Sequence, residues 1–286
     1  MESASYSLFL PFIQTTSVIF ASPHSGRNYS RDFIQMSILD DHALRLSEDA
    51  FMDVLAAPVV NYGSPLLVAL VPRAFVDLNR DVDELDPALI EGVKGQLNNF
   101  RVSSGLGVIP RVVSNRQEIY RGKISIKEVN WRIKSYWEPY HVILTNLIQT
   151  TQKNFGQSIL VDCHSMPSAS VKENPQTLLN RPEVVLGDRF GSSASPLIAD
   201  RIEGLFKKSG LTVGKNIPFS GAFITQQYGR PCKNKHAVQI ELNRSLYLDE
   251  DLIQPSSNFA EFKNLLSTVF KQISDMGRDH FGVDPE

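Results

Sequence analysis

Three short segments of the chain each place polar or ionisable side chains at the end of an apolar run. They cover residues 17–26, 158–165 and 237–244, and they carry His24, His164 and Glu241. Two histidines and a carboxylate, with an open position for water, are a common ligand set of catalytic zinc. Because open α/β sheets assemble their sites at the carboxyl ends of strands, the segments predict a metal-dependent hydrolytic centre.

The two histidines are the predicted metal ligands. His24 follows a proline and precedes a Ser-Gly pair, so its imidazole is expected in a turn that offers it no packing surface. A single turn histidine is more often structural, but His164 repeats the arrangement at the end of a second strand. Asp162, two residues before His164, is expected to orient a ligand or a loop.

A third ligand must come from an acidic side chain, and Glu48 and Asp49 are the candidates. Both are expected in the first turn of a short helix that begins near Ser47, whose hydroxyl can cap the free backbone donors. The alternative is that both residues only interact favourably with the helix dipole.

Glu241 is the predicted general base. It lies inside an otherwise apolar strand, where an unpaired carboxylate would be costly. A metal-activated water is one partner that would compensate it. A salt bridge to Arg244 or another arginine is an equally good explanation for this segment alone.

An extended stretch over residues 71–81 supplies further polar groups. Asn79 and Arg80 are predicted to hold an acidic substrate, because an arginine fork matches a carboxylate, and Arg73 is predicted to polarise a carbonyl. Alternatively, Arg80 pairs with Asp81 or Asp83 at the surface.

Composition narrows the class of protein. The 286 residues are 42% hydrophobic and 21% charged, enough for a sizeable core, and we expect a single domain over residues 1–286. The 29 basic and 31 acidic residues nearly cancel and form no basic run, so no nucleic-acid partner is expected.

Neither a signal peptide nor a membrane span is indicated, so a cytoplasmic protein without a membrane partner is expected. Two cysteines are too few for a disulfide framework, and Cys163 is expected in the core.

The hydrophobic pattern predicts strands that alternate with helices. Short, nearly all-apolar stretches predict strands near residues 17–22, 66–71, 158–163, 183–187 and 237–242. Apolar residues at three- and four-residue spacing predict helices over about 127–153, 195–209 and 258–275, the second one ending at Gly210. Residues 82–117 show little periodicity and are predicted to form a long excursion with small strands near the site. The fold class is therefore α/β, with a central mixed, largely parallel sheet flanked by helices.

Several motifs together resemble one protein family, the N-formylglutamate amidohydrolases, which are zinc enzymes of histidine breakdown. The resemblance covers most of the chain. The matching segments are residues 23–26, 47–49, 76–80, 162–165, 227–231 and 239–247. The resemblance implies a zinc-carboxypeptidase-like, phosphorylase/hydrolase-like fold related to that of aspartoacylase.

The resemblance also implies roles for the site residues. Zinc would be bound by His24, His164 and a carboxylate, with Glu241 as the base. Carboxypeptidase relatives carry a glutamate three residues after the first histidine. In this chain the residue three after His24 is Arg27. The third ligand must therefore come from elsewhere, and Asp49 is the first choice by similarity and Glu48 the second.

The implied substrate is a small acidic N-acyl amino acid. Asn79 and Arg80 resemble the Asp-Leu-Asn-Arg element of aspartoacylase and would bind a substrate carboxylate, as would Arg230. Arg244 is a further candidate, with a structural role as its alternative, while Arg73 would help to polarise the acyl carbon.

The expected reaction is hydrolysis of N-formyl-L-glutamate to formate and glutamate. One alternative is a zinc amidase that acts on another N-acyl amino acid or on a small peptide. The other is a ligand-binding relative that has lost turnover, although a binding protein needs no base beside its metal.

Overall fold

A computed structural model describes residues 4–94, 99–177 and 180–278. Its strands are β1 (Tyr6–Phe9), β2 (Val18–Ser22), β3 (Leu66–Ala69), β4 (Ser158–Met166), β5 (Val184–Gly187), β6 (Val213–Lys215), β7 (Lys235–Asn243), β8 (Leu248–Asp249) and β9 (Gln254–Pro255). Its α-helices are α1 (Arg31–Met36), α2 (Asp41–Arg45), α3 (Met52–Ala56), α4 (Phe100–Ser103), α5 (Ile126–Arg132), α6 (Glu138–Phe155), α7 (Ala169–Lys172), α8 (Pro196–Lys208), α9 (Phe223–Tyr228) and α10 (Phe259–Met276). Shorter 3₁₀ segments cover Ala57–Tyr62, Pro231–Lys233 and Arg244–Leu246, and a π-helical turn covers Ile133–Trp137.

Seven strands form the central sheet in the order β1-β3-β2-β4-β7-β5-β6. The pairs β3-β2, β2-β4, β4-β7 and β5-β6 are parallel, whereas β1-β3 and β5-β7 are antiparallel. The longest pairing joins β4 to β7 in the middle of the sheet over nine consecutive residues of each strand. The predicted mixed, largely parallel α/β sheet is confirmed.

The core consists of one apolar layer on each face of this sheet. Alternate residues of β2 point to opposite faces, so Phe20 joins one layer and Ile19 the other. The layer around Phe20 packs against α3, α8 and α10, and the layer around Ile19 packs against α6. Central strands covered on both faces explain why they read as continuous apolar runs.

The predicted strands and long helices are confirmed. All five predicted strands lie in the central sheet, and Cys163 is buried. The predicted helix at 127–153 is continuous from α5 through the π turn to α6, and Ser125 caps it by accepting from the backbone N–H of Glu128. Gly210 follows α8 with a left-handed φ of 91°, which glycine adopts at low cost. Among the described helices, none combines the length and apolar composition needed to cross a bilayer.

The predicted helix starting near Ser47 is wrong. Helix α2 ends at Arg45 and α3 begins at Met52, so Ser47, Glu48 and Asp49 lie in the turn between them. One hydrogen bond holds this turn, from Asp49 N to the carbonyl of His24. In addition, Phe51 adopts a left-handed φ of 64°, which interrupts helical geometry. The Ser47 hydroxyl accepts from Ser114 N instead of capping a helix.

The prediction of small strands within residues 82–117 is also wrong for the residues that the structure describes there. That part of the chain contains helix α4 and the isolated bridges Ile90–Ile124 and Val112–Glu118. Residues 95–98 lie outside the described ranges. The excursion does reach the site, since Phe100, Arg101, Leu106, Pro110, Val112 and Ser114 line its cavity.

A buried arginine anchors the start of the long helix. The Arg132 side chain is fully buried, and its guanidinium lies 3.9 Å from the centre of the Phe75 ring. Its nitrogens donate to Glu128, to the carbonyl of Phe75 and to the hydroxyl of Tyr120. A buried guanidinium is tolerated because its donors are paired and an aromatic face covers it.

Replacing Arg132 with methionine should therefore destabilise the protein. We expect the free energy of unfolding to fall by about 2 to 4 kcal/mol, because buried acceptors lose their donors. The exposed Lys134 of the same helix is the control, and Lys134→Met should change stability by less than about 0.5 kcal/mol. Denaturant titration measures both, and equal effects would contradict an anchoring role for Arg132.

Candidate metal centre

The three sequence segments meet at the carboxyl end of the central sheet. His24 follows β2 in a turn, His164 lies near the end of β4, and Glu241 lies in β7. The β4-β7 register pairs His164 directly with Glu241. All three line one cavity of about 440 Å³, together with Asp49.

His24, Asp49 and His164 form a possible metal site. The ligand atoms that they offer all lie within 4.8 Å of one another, and all three residues are buried. His164 Nδ1 donates to Asp49 Oδ2 over 3.0 Å, whereas His24 Nδ1 lies 3.6 Å from the same oxygen. His24 Nδ1 is buried and has no hydrogen-bond partner. A buried nitrogen without a partner, facing a carboxylate and a second imidazole, fits a metal ion.

A carboxylate holds the far nitrogen of each histidine. His24 Nε2 donates to Asp77 over 2.7 Å, and His164 Nε2 lies 3.1 Å from Asp162 Oδ2. These contacts fix the ring orientations so that both Nδ1 atoms face Asp49. Carboxylates commonly orient metal-ligating histidines in this way.

The structure distinguishes between the two acidic candidates. Asp49 lies between the two imidazoles, whereas Glu48 pairs with Arg45 over 3.0 Å and does not line the cavity. Burial alone would raise the pKa of Asp49, but the hydrogen bond from His164 and the proximity of both imidazoles hold that pKa well below its usual range. Asp49 is therefore an anion at neutral pH, as a metal ligand must be.

Arg244 supports Asp49 from the other side. Its Nη2 donates to Asp49 Oδ1 over 3.0 Å, and its remaining nitrogens donate to Ser165 and to the carbonyl of Leu46. Although Arg244 lines the cavity, all its nitrogens are already engaged within the protein. This geometry favours the structural alternative for Arg244 over substrate binding.

Glu241 is the one cavity carboxylate without an ion pair to an arginine or histidine in the described part of the chain. Its pKa is raised to about 7, chiefly because burial disfavours the charged form. Gln239, two residues earlier on the same face of β7, donates to its Oε1 over 2.7 Å. The alternative, a salt bridge from Glu241 to Arg244, is not formed, because that arginine pairs with Asp49. A buried carboxyl with a pKa near neutrality is suited to proton transfer.

Arg73 and Arg80 both line the cavity with donors to spare. Arg73 Nε pairs with Asp77 over 3.0 Å, and its terminal nitrogens make no hydrogen bond to described residues. Arg80 donates through Nε to the carbonyl of Leu106 and through Nη1 to that of Asn79. No carboxylate of the described residues forms an ion pair with Arg80, so the alternative of a surface pair with Asp81 or Asp83 is not present.

Asn79 lies in the cavity wall, but its amide is used within the protein. Its Oδ1 accepts from Ile224 N over 2.7 Å, and its Nδ2 lies 3.1 Å from His164 Nε2 and 3.4 Å from Asp162 Oδ2. Asn79 thus braces His164 rather than presenting a free amide to a substrate.

Arg230 does not line the cavity. Its guanidinium donates to the carbonyls of Gln226 and Gly229, and the residue is exposed. The structure therefore brings together His24, Asp49, Arg73, Asn79, Arg80, His164, Glu241 and Arg244, but neither Glu48 nor Arg230.

The π turn and helix α6 hold the segment that carries Asn79 and Arg80. The indole N–H of Trp137 donates to the carbonyl of Arg80 over 2.9 Å. His141 donates through Nε2 to the carbonyl of Leu78 over 2.8 Å, and burial lowers its pKa to about 3, so the ring stays neutral. A π turn at this point fits the frequent occurrence of such turns at functional sites.

Sequence reasoning assigned no role to Asp77 and Gln239. Asp77 is a carboxylate between the apolar residues Val76 and Leu78, a signal that was readable from the sequence. Gln239 shares a strand face with Glu241 by two-residue spacing, which was also readable from the sequence.

Known proteins resemble this chain over most of its length. Residues 16–248 match the sequence model of the N-formylglutamate amidohydrolase family. The chain is 31% identical over 237 residues to an N-formylglutamate deformylase of Pseudomonas aeruginosa, covering 82% of each chain. It is 27% identical to an N-formylglutamate deformylase of Pseudomonas putida, over 84% of this chain and 87% of the relative. A crystal structure of N-formylglutamate amidohydrolase from Ralstonia eutropha superposes with a TM-score of 0.89 at 32% identity, covering 96% of this chain and 99% of that one.

Metal binding should stabilise the protein through His24. Zinc present at about 100 times its dissociation constant should raise the free energy of unfolding by about 2.7 kcal/mol, and a chelator should reverse this. His24→Ala should abolish the response, whereas His42→Ala, at an exposed histidine, should retain it. Thermal unfolding with zinc or chelator measures the effect. A full zinc response in His24→Ala would contradict the site.

Metal affinity should also depend on pH. Burial alone would lower the pKa of His164, but the charge of Asp162 and hydrogen bonds to Asp162 and Asp49 raise it well above its usual value. In the metal-free protein His164 therefore carries a proton at neutral pH, and a metal ion must displace it. We expect zinc affinity to fall by about tenfold for each unit of decreasing pH below that raised pKa. Calorimetry in buffers of different ionisation enthalpy measures the released proton, and an affinity that does not change with pH would contradict this assignment.

Proposed function

The chain belongs to the N-formylglutamate amidohydrolase family, and we propose that it hydrolyses N-formyl-L-glutamate to formate and L-glutamate. The observation that carries the proposal is the partnerless, buried Nδ1 of His24, which faces Asp49 and His164 in the same cavity as Glu241. Two buried imidazoles and a carboxylate beside a carboxyl with a pKa of about 7 fit amide hydrolysis better than ligand binding alone.

Zinc is the proposed metal, and His24, Asp49 and His164 would hold it. Nitrogen and oxygen donors in a group of three match catalytic zinc, which keeps a further position open. When bound, zinc would supply Lewis-acid polarisation of the formyl carbonyl and make water acidic enough to act as a nucleophile.

Glu241 is the proposed general base and then the general acid. Its carboxylate accepts a proton from the attacking water as the new carbon–oxygen bond forms. It then donates that proton to the amide nitrogen as the carbon–nitrogen bond breaks, which releases glutamate as a free amine and leaves formate. Gln239 holds one oxygen of Glu241 at 2.7 Å and thereby orients the carboxyl for both transfers.

The cavity arginines have separate proposed roles. Arg73 is anchored to Asp77 through Nε, so its terminal nitrogens can stabilise negative charge that develops on the formyl oxygen. Arg80 has no ion-pair partner among the described residues and is proposed to bind a substrate carboxylate. Arg244 keeps Asp49 in place as a metal ligand.

Glu241→Gln is expected to abolish most of the turnover while leaving the metal in place. Loss of a positioned acid–base group should lower kcat by about 10²- to 10⁴-fold, with zinc content unchanged because Glu241 is not a ligand. Formate release from N-formyl-L-glutamate and metal analysis of the same samples measure the two effects.

The matched control is Glu261→Gln, at an exposed glutamate of α10, which should retain full activity. Wild-type protein that binds zinc but releases no formate would redirect the proposal to another N-acyl amino acid or a small peptide. Full activity of Glu241→Gln would remove the base assignment, and an inability to bind any metal would favour the ligand-binding alternative.

A further inference from the structure

We propose that Arg101 binds the side-chain carboxylate of the substrate and so makes the site selective for dicarboxylic N-acyl amino acids. This inference rests on the proposed function, since it concerns the substrate of the same cavity. Arg101 lies in helix α4, within the excursion, and the sequence motifs do not include it.

The charges in the cavity wall show which cationic groups are available to a substrate. Four arginines line the cavity: Arg73, Arg80, Arg101 and Arg244. Arg73 pairs with Asp77 and Arg244 with Asp49, whereas no described carboxylate lies within ion-pair distance of the other two. Two guanidinium groups without an ion-pair partner among the described residues, in one cavity, match a ligand that carries two carboxylates.

Arg101 is the least committed of the four arginines. Its guanidinium makes no hydrogen bond to any described residue, and the residue is only partly buried. Burial lowers the pKa of Arg80. The negative charge of Asp77 raises it, whereas the positive charges of Arg73 and Arg101 lower it. Arg80 and Arg101 therefore repel each other, and an anion bound close to both would relieve the repulsion.

The position of Arg101 indicates which carboxylate it takes. Arg101 and Phe100 also line a neighbouring cavity of about 780 Å³, which includes none of the metal-site residues. Arg101 therefore also borders a space that no metal-site residue lines, whereas Arg80 directly follows Asn79, which contacts His164.

The chemistry of an N-acyl glutamate fits this order. Its α-carboxylate is attached to the carbon that carries the scissile amide nitrogen, and its side-chain carboxylate is two methylene groups further away. Arg80, near the reacting bond, would bind the α-carboxylate. Arg101, which also borders the neighbouring cavity, would bind the side-chain carboxylate in a charge-assisted contact.

The test compares N-formyl-L-glutamate with N-formyl-L-glutamine, which has a similar shape but lacks the second charge. Binding is measured by calorimetry on zinc-loaded Glu241→Gln protein, so that neither ligand is consumed. We expect the dicarboxylate to bind roughly 10- to 100-fold more tightly. Adding Arg101→Met should remove this preference and change the affinity for the glutamine analogue by less than about threefold.

Two further variants separate charge from packing. Arg101→Lys keeps a positive charge and should retain part of the preference, while Arg121→Met, at an exposed arginine, should retain all of it. If Arg101→Met weakens both ligands equally, or leaves the preference intact, Arg101 does not read the side-chain carboxylate.

Formate release by otherwise wild-type protein distinguishes this inference from the proposed function. An Arg101-dependent preference in binding without formate release would overturn the reaction and support the subsite. Formate release with an unchanged preference in Arg101→Met would overturn the subsite alone. Protein that binds neither ligand would overturn both.

Discussion

The buried carboxylate of Asp49 is the contact on which the site depends. It accepts from His164, faces the partnerless nitrogen of His24 and pairs with Arg244, although only 1% of its side chain is exposed. A buried charge is costly unless it is surrounded by such partners. Its position in turn requires the turn between α2 and α3, which the hydrogen bond from Asp49 N to the carbonyl of His24 ties directly to the end of β2.

Around this contact the polar groups are arranged in layers. Asp77 and Asp162 orient the two imidazoles, and Asn79 braces His164. The backbone that carries these groups is itself fixed, since Trp137 and His141 bond the carbonyls of Arg80 and Leu78 from the long helix. Each of the three residues of the candidate metal site is therefore held by a second contact within the protein. These contacts define the positions of the three side chains before any substrate binds.

Much of this arrangement could be predicted from the sequence, because strong local patterns carry it. Continuous apolar runs identified the central strands, and the polar residues at their ends identified His24, His164 and Glu241.

The turn at Asp49 could not be predicted in the same way. Its conformation depends on hydrogen bonds with His24 and Ser114, which are distant in sequence. It also depends on the left-handed backbone of Phe51, which residues other than glycine rarely adopt. The motif that contains Arg230 resembles that of the family, yet its guanidinium donates to the carbonyls of Gln226, in α9, and of Gly229, just after that helix. The position of Arg101 depends on the path of an excursion that has little periodicity, and no local pattern indicates it.

The long pairing of β4 with β7 has a consequence for how the molecule can move. His164 and Glu241 face each other within an unbroken parallel ladder that is buried on both faces of the sheet. A ladder of this kind opens only together with the core, so His164 and Glu241 are held in a fixed relative position. Adjustment to ligands of different length must then come from the opposite wall, which is built from short turns and a single helical turn. New substrate preferences can arise through changes in that wall while the reacting groups keep their geometry.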